Sequence, residues 1–229
     1  MYDEKLIESI VSEVIKSNMN ITKSTENVSV KGISGDDKIK VGVSQRHVHL
    51  CQKDLETLFG KGFELSVKKV LMGREFASNE VVTLVGPSLK AIENVRVLGP
   101  VRKKTQVEIS RTDTFVLKVS PPVRPSGQVE NSERIVIVGP KGSVYLNEGV
   151  IIANRHIHLS PEGADKQGVK DGDFVDVRVD GEKPTLFYDV QVRVRDDFHS
   201  EMHIDTDDAN CAGLKNGNIV TILAKKGKV

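Results

Sequence analysis

The histidines of this sequence are grouped in a way that suits metal binding. Four of the six form two His-x-His pairs, His47 with His49 and His156 with His158. Side chains on a β-strand alternate between its two faces, so residues i and i+2 point to the same side. Each pair therefore presents two imidazoles together, and neutral imidazole is the commonest metal ligand in proteins. One such pair alone would be explained more simply as two ordinary histidines on a strand.

An internal repeat makes the metal interpretation stronger than the ordinary one. Residues 45–50 (QRHVHL) align with residues 154–159 (NRHIHL) at an offset of 109 positions. Both copies lead into a short predicted helix that ends near a glycine, Gly60 in the first copy and Gly168 in the second. Chance does not duplicate a histidine pair at equivalent positions of a repeat, so we expect one metal site in each copy.

A second offset supplies a third ligand for each site. Residues 95–97 align with residues 190–192 at an offset of 95 positions, and the same offset places Glu108 on His203. The predicted sites are His47, His49 and Glu108 for the first, and His156, His158 and His203 for the second. Three protein ligands with one open position is the pattern of catalytic zinc, whereas structural zinc usually takes four ligands. The alternative for Glu108 is an ordinary solvated carboxylate on a strand.

Short β-type runs separated by glycine and proline fill the chain from residue 38 onward, which is typical of barrels and sandwiches. The predicted strands are Ile39–Val43, Val81–Val85, Val95–Leu98, Val107–Ile109, Ile135–Val138, Val150–Ala153, Phe174–Val179, Val190–Val194 and Ile219–Leu223. Two helices are predicted among them, Lys53–Phe59 and Pro161–Gln167, with Ser160 as the N-cap of the second. A shorter repeat, residues 168–175 on residues 213–220, indicates a small pseudo-two-fold barrel.

These patterns predict a mainly β fold, with two related small β-barrel domains, short capping helices and an N-terminal amphipathic helix. The N-terminal helix is predicted within residues 1–19, where apolar residues recur at three- and four-residue spacing, and a polar linker follows over residues 20–38. Residues 39–46 and 154–229 are assigned to barrel domain one, and residues 47–153 to barrel domain two. One interpretation of the helix is that it packs on the body of the protein or on a neighbouring subunit.

The composition excludes several classes of function. Lys and Arg number 33 against 32 Asp and Glu, a net charge of +1, which does not suit a nucleic-acid-binding protein. No stretch approaches the ~20 apolar residues of a membrane span, and the first residues do not resemble a signal peptide. Cys51 and Cys211 make no disulfide framework, so a cytoplasmic protein is expected. Neither cysteine lies in an activating motif, and no Gly-x-Ser-x-Gly motif occurs, which disfavours a covalent nucleophile.

Arginines cluster around the predicted metal strands. Arg46 and Arg155 each precede a histidine pair, and Arg96 and Arg102 flank a Leu-Gly-Pro segment. The planar guanidinium suits phosphate, so the cluster points to an anionic substrate. His199 has no counterpart in the repeat and is predicted to be a surface residue.

Several long motifs can be compared with those of a known family. They are residues 41–50 (VGVSQRHVHL), 95–102 with 105–110, 122–127 (PVRPSG), 152–158 (IANRHIH) and 202–207 (MHIDTD). Together they resemble the motifs of the PduL-type phosphotransacylases, or phosphate propanoyltransferases. The resemblance covers nearly everything from about residue 38 to the C-terminus.

The resemblance implies two β-barrel domains with a two-zinc active site between them. It implies reversible transfer of a short acyl group, propanoyl or acetyl, between coenzyme A and inorganic phosphate. The family's six zinc ligands fall on the two predicted triplets, and its catalytic, phosphate-binding arginine matches Arg102. Its coenzyme A contacts match Val43, Ser44, Gln45, Lys69, Arg96, Leu98 and Asn210.

The resemblance also implies partners. These are acyl-CoA and inorganic phosphate, and a homo-oligomer is expected. Some members of the family carry an N-terminal helix as a tag for loading into bacterial microcompartments, so binding of shell proteins is the second interpretation of residues 1–19. Residues 72–76 (MGREF) are more charged than the family pattern leads us to expect, and no role is assigned to them.

Three other classes of protein share part of this pattern. A metal-dependent hydrolase would use the same histidines but would release a carboxylate without phosphate. A cupin-like barrel has its glutamate within a few residues of the histidine pair, whereas Glu108 lies 59 residues beyond His49. A non-catalytic module stabilised by zinc predicts closed sites with four ligands.

Overall fold

The computed structural model describes residues 38–223, in which β-strands dominate, as predicted. The strands are β1 (Lys38–Ser44), β2 (His47–Cys51), β3 (Val67–Val70), β4 (Phe76–Val85), β5 (Ala91–Arg102), β6 (Gln106–Glu108), β7 (Val123–Arg124), β8 (Glu133–Val138), β9 (Ser143–Ala153), β10 (His156–Leu159), β11 (Phe174–Val179), β12 (Thr185–Val194), β13 (Glu201–Asp205) and β14 (Ile219–Ile222). The helices of the same residues are α1 (Gln52–Phe59), α2 (Arg111–Leu117), α3 (Pro161–Gln167) and α4 (Thr206–Ala212). The predicted helix within residues 1–19 and the predicted linker up to residue 37 lie outside the described residues.

Six strands close into a barrel, named barrel one, in the order β1, β13, β10, β12, β11, β14. Strand β1 pairs in parallel with β13, where Val43 lies opposite Ile204, and antiparallel with β14, where Ile39 lies opposite Val220. Alternate residues of the strands point inward because side chains on a strand alternate between its faces. They form one apolar core that includes Ile39, Val41, Ile157, Leu159, Val175, Val177, Val190, Val192, Met202, Ile204, Val220 and Ile222.

A second ring, named barrel two, consists of β4, β5, β2, β6, β9 and β8. Each strand pairs with the next in this order, and β8 closes the ring by pairing with β4. Strands β3 and β7 extend the sheet from β4 and β9. The core of barrel two includes Val48, Leu50, Val82, Leu84, Val95, Val97, Val107, Ile135, Ile137 and Val150. Two related β-barrels are therefore present, in agreement with the predicted fold class.

The strands that carry the histidine pairs occupy equivalent places in the two barrels. Strand β2 has a parallel neighbour, β5, and an antiparallel neighbour, β6, which bring Arg96 and Glu108 opposite His47. Strand β10 likewise lies between parallel β12 and antiparallel β13, which bring Gln191 and His203 opposite His156. The sequence offsets of 109 and 95 thus correspond to one strand arrangement built twice.

Both faces of the two histidine strands are covered. Val48 and Leu50 lie in the core of barrel two. His47 and His49 alternate with them along β2, so their side chains point to the outside of that barrel. The imidazoles are nevertheless buried, at 8% and 2% exposure. The outer face of each histidine strand is therefore an interior region of the protein. The two barrels belong to one compact unit, and the amide of Thr112 on α2 donates to Asp207 on α4 at 2.7 Å.

Two of the four helices within residues 38–223 were not predicted. The predicted α1 and α3 are present; Gly60 and Gly168 follow them, and the Ser160 hydroxyl accepts the amide of Gly163 at the start of α3. Helices α2 and α4 correct the expectation of only two helices in this part of the chain. Each is seven residues long, which is too short to show an apolar period, and neither begins with the Ser-Pro pair by which α3 was predicted. Within residues 38–223, none of the helices has the length and apolar character needed to cross a membrane.

Candidate metal centre

The first predicted triplet converges in the structure. The ligand atoms of His47, His49 and Glu108 all lie within 4.8 Å of one another. The Glu108 carboxylate lies 3.4 Å from His47 Nε2 and 4.0 Å from His49 Nε2. The antiparallel register of β2 and β6 produces this approach, because it places Glu108 directly opposite His47.

The second predicted triplet converges in the same way. The ligand atoms of His156, His158 and His203 also lie within 4.8 Å of one another. Their ring centroids are separated by 4.7 Å for His156 and His158, 4.6 Å for His158 and His203, and 5.3 Å for His156 and His203. The Glu201 carboxylate lies 3.0 Å from Nε2 of His203.

Backbone carbonyls fix the orientation of the first histidine in each pair. The Nδ1 atom of His47 lies 2.8 Å from the carbonyl oxygen of Gln45, and Nδ1 of His156 lies 2.8 Å from that of Asn154. When Nδ1 donates to the carbonyl, the Nε2 lone pair is left for a metal ion, which is the usual arrangement around metal-binding histidines.

Among the residues that the structure describes, two buried imidazole nitrogens, one on the second histidine of each pair, have no hydrogen-bond partner. They are Nδ1 of His49 and Nε2 of His158. The other ring nitrogen of His158 lies 2.7 Å from Met72 Sδ. A buried polar atom without a partner is costly in free energy unless something else satisfies it. Nε2 of His158 lies in a triplet that a metal ion could satisfy.

The protonation states of several side chains in the two triplets suit the binding of a metal ion. Burial lowers the pKa of His156 to about 3 and that of His158 to about 2, and it holds the pKa of His49 well below its usual range. Burial also disfavours the charged form of His47, but the Glu108 carboxylate, the Gln45 carbonyl and Glu75 together outweigh burial and raise the pKa of that imidazole. The reverse holds for Glu108, since His47 and His49 overcome burial and keep its pKa well below the usual range. His156 and His158 of the second triplet are therefore neutral, and the first triplet offers a carboxylate.

The two triplets open onto one cavity between the barrels. His47 and Glu108 line it from barrel two, and His156 and His203 line it from barrel one. The first triplet offers two imidazole nitrogens and a carboxylate oxygen, and the second offers three imidazole nitrogens. Three protein ligands leave a coordination position open. The residues present therefore fit two divalent metal ions that face a common space.

A chain of polar contacts connects Arg102 to the first triplet. The Arg102 guanidinium donates to Ser126 Oγ at 3.1 Å, and Ser126 Oγ donates to the Glu108 carboxylate at 2.7 Å. The Gln106 amide also donates to Glu108, at 2.5 Å. Arg102 itself forms an ion pair with Glu75, with 2.6 Å between Nη2 and Oε1. The Ser126 hydroxyl thus links Arg102 to the predicted metal ligand Glu108, and the Glu75 carboxylate pairs with the charge of Arg102.

The predicted coenzyme A contacts fall into three places. Ser44 and Gln45 line the cavity between the triplets, and the amide of Val43, at the end of β1, donates to Asn216 Oδ1. Lys69 on β3 lies opposite Ala77 on β4, which lies opposite Leu98 on β5. Leu98 in turn lies opposite His49 on β2. Residues in register across a sheet point to the same face, so Lys69, Leu98 and His49 share one face.

Arg96 lies opposite His47 and donates to the carbonyls of Ser78 and Asn79 at 3.1 and 2.8 Å. Asn210 lies elsewhere, on α4. His199 is exposed, as predicted, and lies 3.8 Å from Glu201.

Several residues that contact or lie opposite the predicted site residues were not predicted. Met72 and Glu75 belong to the charged segment 72–76, which received no role, yet one contacts His158 and the other Arg102. Ser126 lies in a quoted motif, and Gln106 lies two residues before Glu108. The offset of 95 relates Gln106 to Glu201, which contacts His203, but the two residues differ in type, so the relation was not predicted from the sequence. Arg193 on β12 lies opposite His158, and its buried Nη2 atom has no hydrogen-bond partner within the described part of the chain. The offset of 95 places Arg193 on Leu98, so the repeat is broken at this position.

Comparisons with known proteins agree with this arrangement. The family model of phosphate propanoyltransferase matches residues 40–215. A phosphate propanoyltransferase of Lachnoclostridium phytofermentans is 57% identical over 89% of this chain and 96% of its own length. One from Thermotoga maritima is 57% identical over 81% of this chain and 89% of its own, and one from Rhodopseudomonas palustris is 42% identical over 97% and 96%. The chain therefore belongs to the phosphate propanoyltransferase family of acyltransferases.

Proposed function

We propose that this enzyme catalyses reversible transfer of a short acyl group, propanoyl or acetyl, between coenzyme A and inorganic phosphate at a centre that holds two zinc ions. Membership of the family supports the reaction. One observation supports the centre above all: two triplets of metal-ligand side chains face a common cavity, with Arg102 linked to one of them through Ser126.

The six predicted ligands would hold the two ions, one in each triplet. Zinc accepts imidazole nitrogen and carboxylate oxygen, and a site with three protein ligands keeps a position for a small molecule. When bound, zinc supplies positive charge that polarises a carbonyl or phosphate oxygen. Burial keeps His156 and His158 neutral, so the imidazoles need lose no proton before they bind the ion.

Arg102 would hold the phosphate. A guanidinium forms two parallel hydrogen bonds to an oxyanion, which fixes the position of the anion and reduces the cost of bringing it to an electron-rich carbonyl. Glu75 now occupies this guanidinium with a carboxylate oxygen. Because phosphate presents similar oxygens, we propose that phosphate replaces the Glu75 carboxylate at Arg102 when it binds.

Coenzyme A would lie along the face that Lys69, Leu98 and His49 share. Lys69 and Arg96 carry the positive charge suited to its phosphates, and Ser44 and Asn210 offer polar groups to the remainder. Val43 and Gln45 are close in sequence to His47, so we assign them to the thioester end. This placement follows from the register of β3, β4, β5 and β2 and from the position of Ser44 and Gln45 in the cavity.

The transfer would be a direct displacement. A phosphate oxygen attacks the thioester carbonyl carbon, the new carbon–oxygen bond forms, and the carbon–sulfur bond breaks. The bonding pair leaves with sulfur, which becomes the thiol of coenzyme A by taking the proton that the attacking hydrogen phosphate loses. No side chain needs to be acylated, and neither Cys51 nor Cys211 is among the residues that line the cavity.

The test is an assay of thiol release by the full-length enzyme with acyl-CoA and phosphate. We expect release to require phosphate, to stop after chelation and to return with Zn²⁺, and a panel of acyl chains will give the preferred group. Release at the same rate without phosphate would identify a thioester hydrolase instead. Isolation of a covalent acyl-enzyme would exclude direct displacement.

The proposal extends to the location of the enzyme, its oligomeric state and its protein partners. We propose that it is a cytoplasmic homo-oligomer with two barrel domains, residues 39–46 with 154–229 and residues 47–153. Residues 1–19 are proposed to bind microcompartment shell proteins. Deletion of residues 1–19 tests this: loss of co-purification with shell proteins at unchanged oligomeric state supports a tag, whereas a changed oligomeric state supports a packing role.

A further inference from the structure

Two arginines that the proposed reaction does not use have equivalent positions in the repeat. Arg46 and Arg155 each directly precede the first histidine of a triplet. Arg46 forms a close two-pronged ion pair with Asp113, with its Nε atom 2.9 Å from both carboxylate oxygens and its Nη2 atom 2.7 Å from Oδ1. The Asp113 side chain is only 3% exposed. A buried carboxylate held in this geometry fixes the arginine firmly, because breaking the pair would leave a charge buried without a partner.

Asp113 connects this arginine to the strand that carries the third ligand. Its carboxylate accepts the amide of Ser110, and its own amide donates to the Ser110 hydroxyl, which together form a capping box at the start of α2. Ser110 follows Glu108 by two residues. The contacts therefore run from the residue before His47 to the chain just beyond Glu108.

The same connection is built a second time. Arg155 lies 3.3 Å from the Asp208 carboxylate, and the amide of Asp208 donates to the side chain of Asp205, which caps α4. Asp205 follows His203 by two residues. The offset of 109 relates the two arginines, and the offset of 95 relates Asp113 to Asp208 and Ser110 to Asp205. A pair that served only to stabilise one helix would not need to recur at both third-ligand strands.

The position of the arginine determines what the pair can hold in place. In the first copy Arg46 lies between Gln45 and His47 in the sequence. The carbonyl of Gln45 accepts a hydrogen bond from Nδ1 of His47. In the second copy Arg155 lies between Asn154 and His156 in the same relation. Fixing the arginine therefore fixes both the carbonyl that orients the imidazole and the backbone of the histidine, relative to the strand of the third ligand.

We propose that Arg46–Asp113 and Arg155–Asp208 are two positioning pairs, each of which sets the separation and orientation of the first and third ligands of one metal site. This inference rests on the metal centre of the proposed function. The two pairs differ in strength. The first is two-pronged with a buried aspartate, whereas the second has one contact of 3.3 Å and an Asp208 side chain that is 27% exposed. The first site depends more on its pair than the second.

The test measures metal affinity rather than turnover. Each site is isolated in the full-length chain by removing a ligand of the other, with His203→Ala to leave the first site and Glu108→Gln to leave the second. Zinc affinity is then measured by competition with a chromophoric chelator, and cobalt absorption reports the ligand geometry. In the first-site background Arg46→Gln is expected to weaken zinc binding by about 10- to 100-fold and to change the cobalt spectrum. Arg155→Gln is expected to cause a smaller loss in the second-site background.

Further variants separate positioning from folding. Arg46→Lys keeps the charge but not the two-pronged geometry, so its affinity should lie between those of the wild type and Arg46→Gln. Asp113→Asn should match Arg46→Gln, and combining the two should add little, because they remove the same contact. Arg178→Gln is the matched control, since Arg178 is an exposed arginine of barrel one that pairs with Asp180. Its zinc affinity should equal that of the wild type.

Two results would overturn the inference, and they are distinct. If Arg46→Gln lowers the melting temperature of the metal-free protein but leaves zinc affinity and the cobalt spectrum unchanged, the pair only stabilises the fold. If the wild-type chain takes up no zinc or cobalt, the metal centre of the proposed function is wrong, and the positioning role falls with it.

Discussion

Replacement of Glu75 by glutamine is expected to strengthen the use of phosphate. The substitution keeps the shape of the side chain and removes the charge that now pairs with Arg102 at 2.6 Å. If phosphate must displace this carboxylate, each binding event includes the cost of breaking the ion pair. Removing the charge removes most of that cost.

The exposure of the two side chains sets the size of the effect. The Arg102 and Glu75 side chains are 28% and 44% exposed, so water screens their attraction. Ion pairs near the surface contribute about 0.2–1 kcal/mol. A ligand that competes with such a pair should gain roughly 1.4- to 5-fold in affinity when the pair is removed. The KM for phosphate should fall by about this factor.

The assay is thiol release at saturating acyl-CoA, with phosphate varied at low and at high ionic strength. The advantage of Glu75→Gln should shrink at high salt, because salt screens exposed charges. Glu162→Gln is the control, since Glu162 pairs with Lys166 on the surface of α3, away from the cavity. A higher KM for phosphate in Glu75→Gln would refute the reasoning, because it would mean that Glu75 holds Arg102 in a productive position rather than competing with phosphate.

Three further outcomes are expected. Arg102→Ala removes a charged hydrogen bond worth about 1.5–3 kcal/mol, so the KM for phosphate should rise by roughly 10- to 100-fold with little change in the KM for acyl-CoA; equal changes in both would contradict the assignment. Acidification should release zinc from the first site before the second, as followed by a zinc indicator, because Glu108 raises the pKa of His47 and protons therefore compete there at higher pH, whereas burial lowers the pKa of His156 to about 3. Release in the opposite order would show that these pKa directions do not govern the metal-binding state. Gly86→Ala should lower the melting temperature, since its new methyl would lie 1.9 Å from the backbone oxygen of Leu117, with a loss of about 2–4 kcal/mol that scanning calorimetry can measure; an unchanged melting temperature would mean that barrel two adjusts at no cost.

The sequence is informative about the two triplets because their geometry is local and repeated. Strand alternation places His47 beside His49, and the offset between Glu108 and His203 identifies the neighbouring strand without any knowledge of the fold. The structure brings both triplets together as this reasoning expects. Their role as metal ligands stays a prediction until metal is measured.

Other features could not be predicted from local patterns. Met72 contacts His158 across 86 positions of sequence, and Glu75, from the same connection between β3 and β4, contacts Arg102. Such contacts depend on how separate strands pack, and no periodicity signals them. Helices α2 and α4 were also missed, but the recurrence of Ser110 with Asp113 and of Asp205 with Asp208 is a signal that the offset of 95 contains and that could have found them.

The route of the chain through the two barrels has a consequence for biosynthesis. Strand β1 is the first described strand of barrel one, but its partners β13 and β14 follow all the strands of barrel two; Ile204, opposite Val43, is 161 residues further along the chain. During synthesis on a ribosome, β1 therefore remains unpaired until β13 and β14 have been made, after all the strands of barrel two. We expect the core of barrel two to form first during synthesis. The core of barrel one forms afterwards, when β13 and β14 pair with β1. Chaperone dependence and the yield of soluble protein should accordingly be most sensitive to changes in β1.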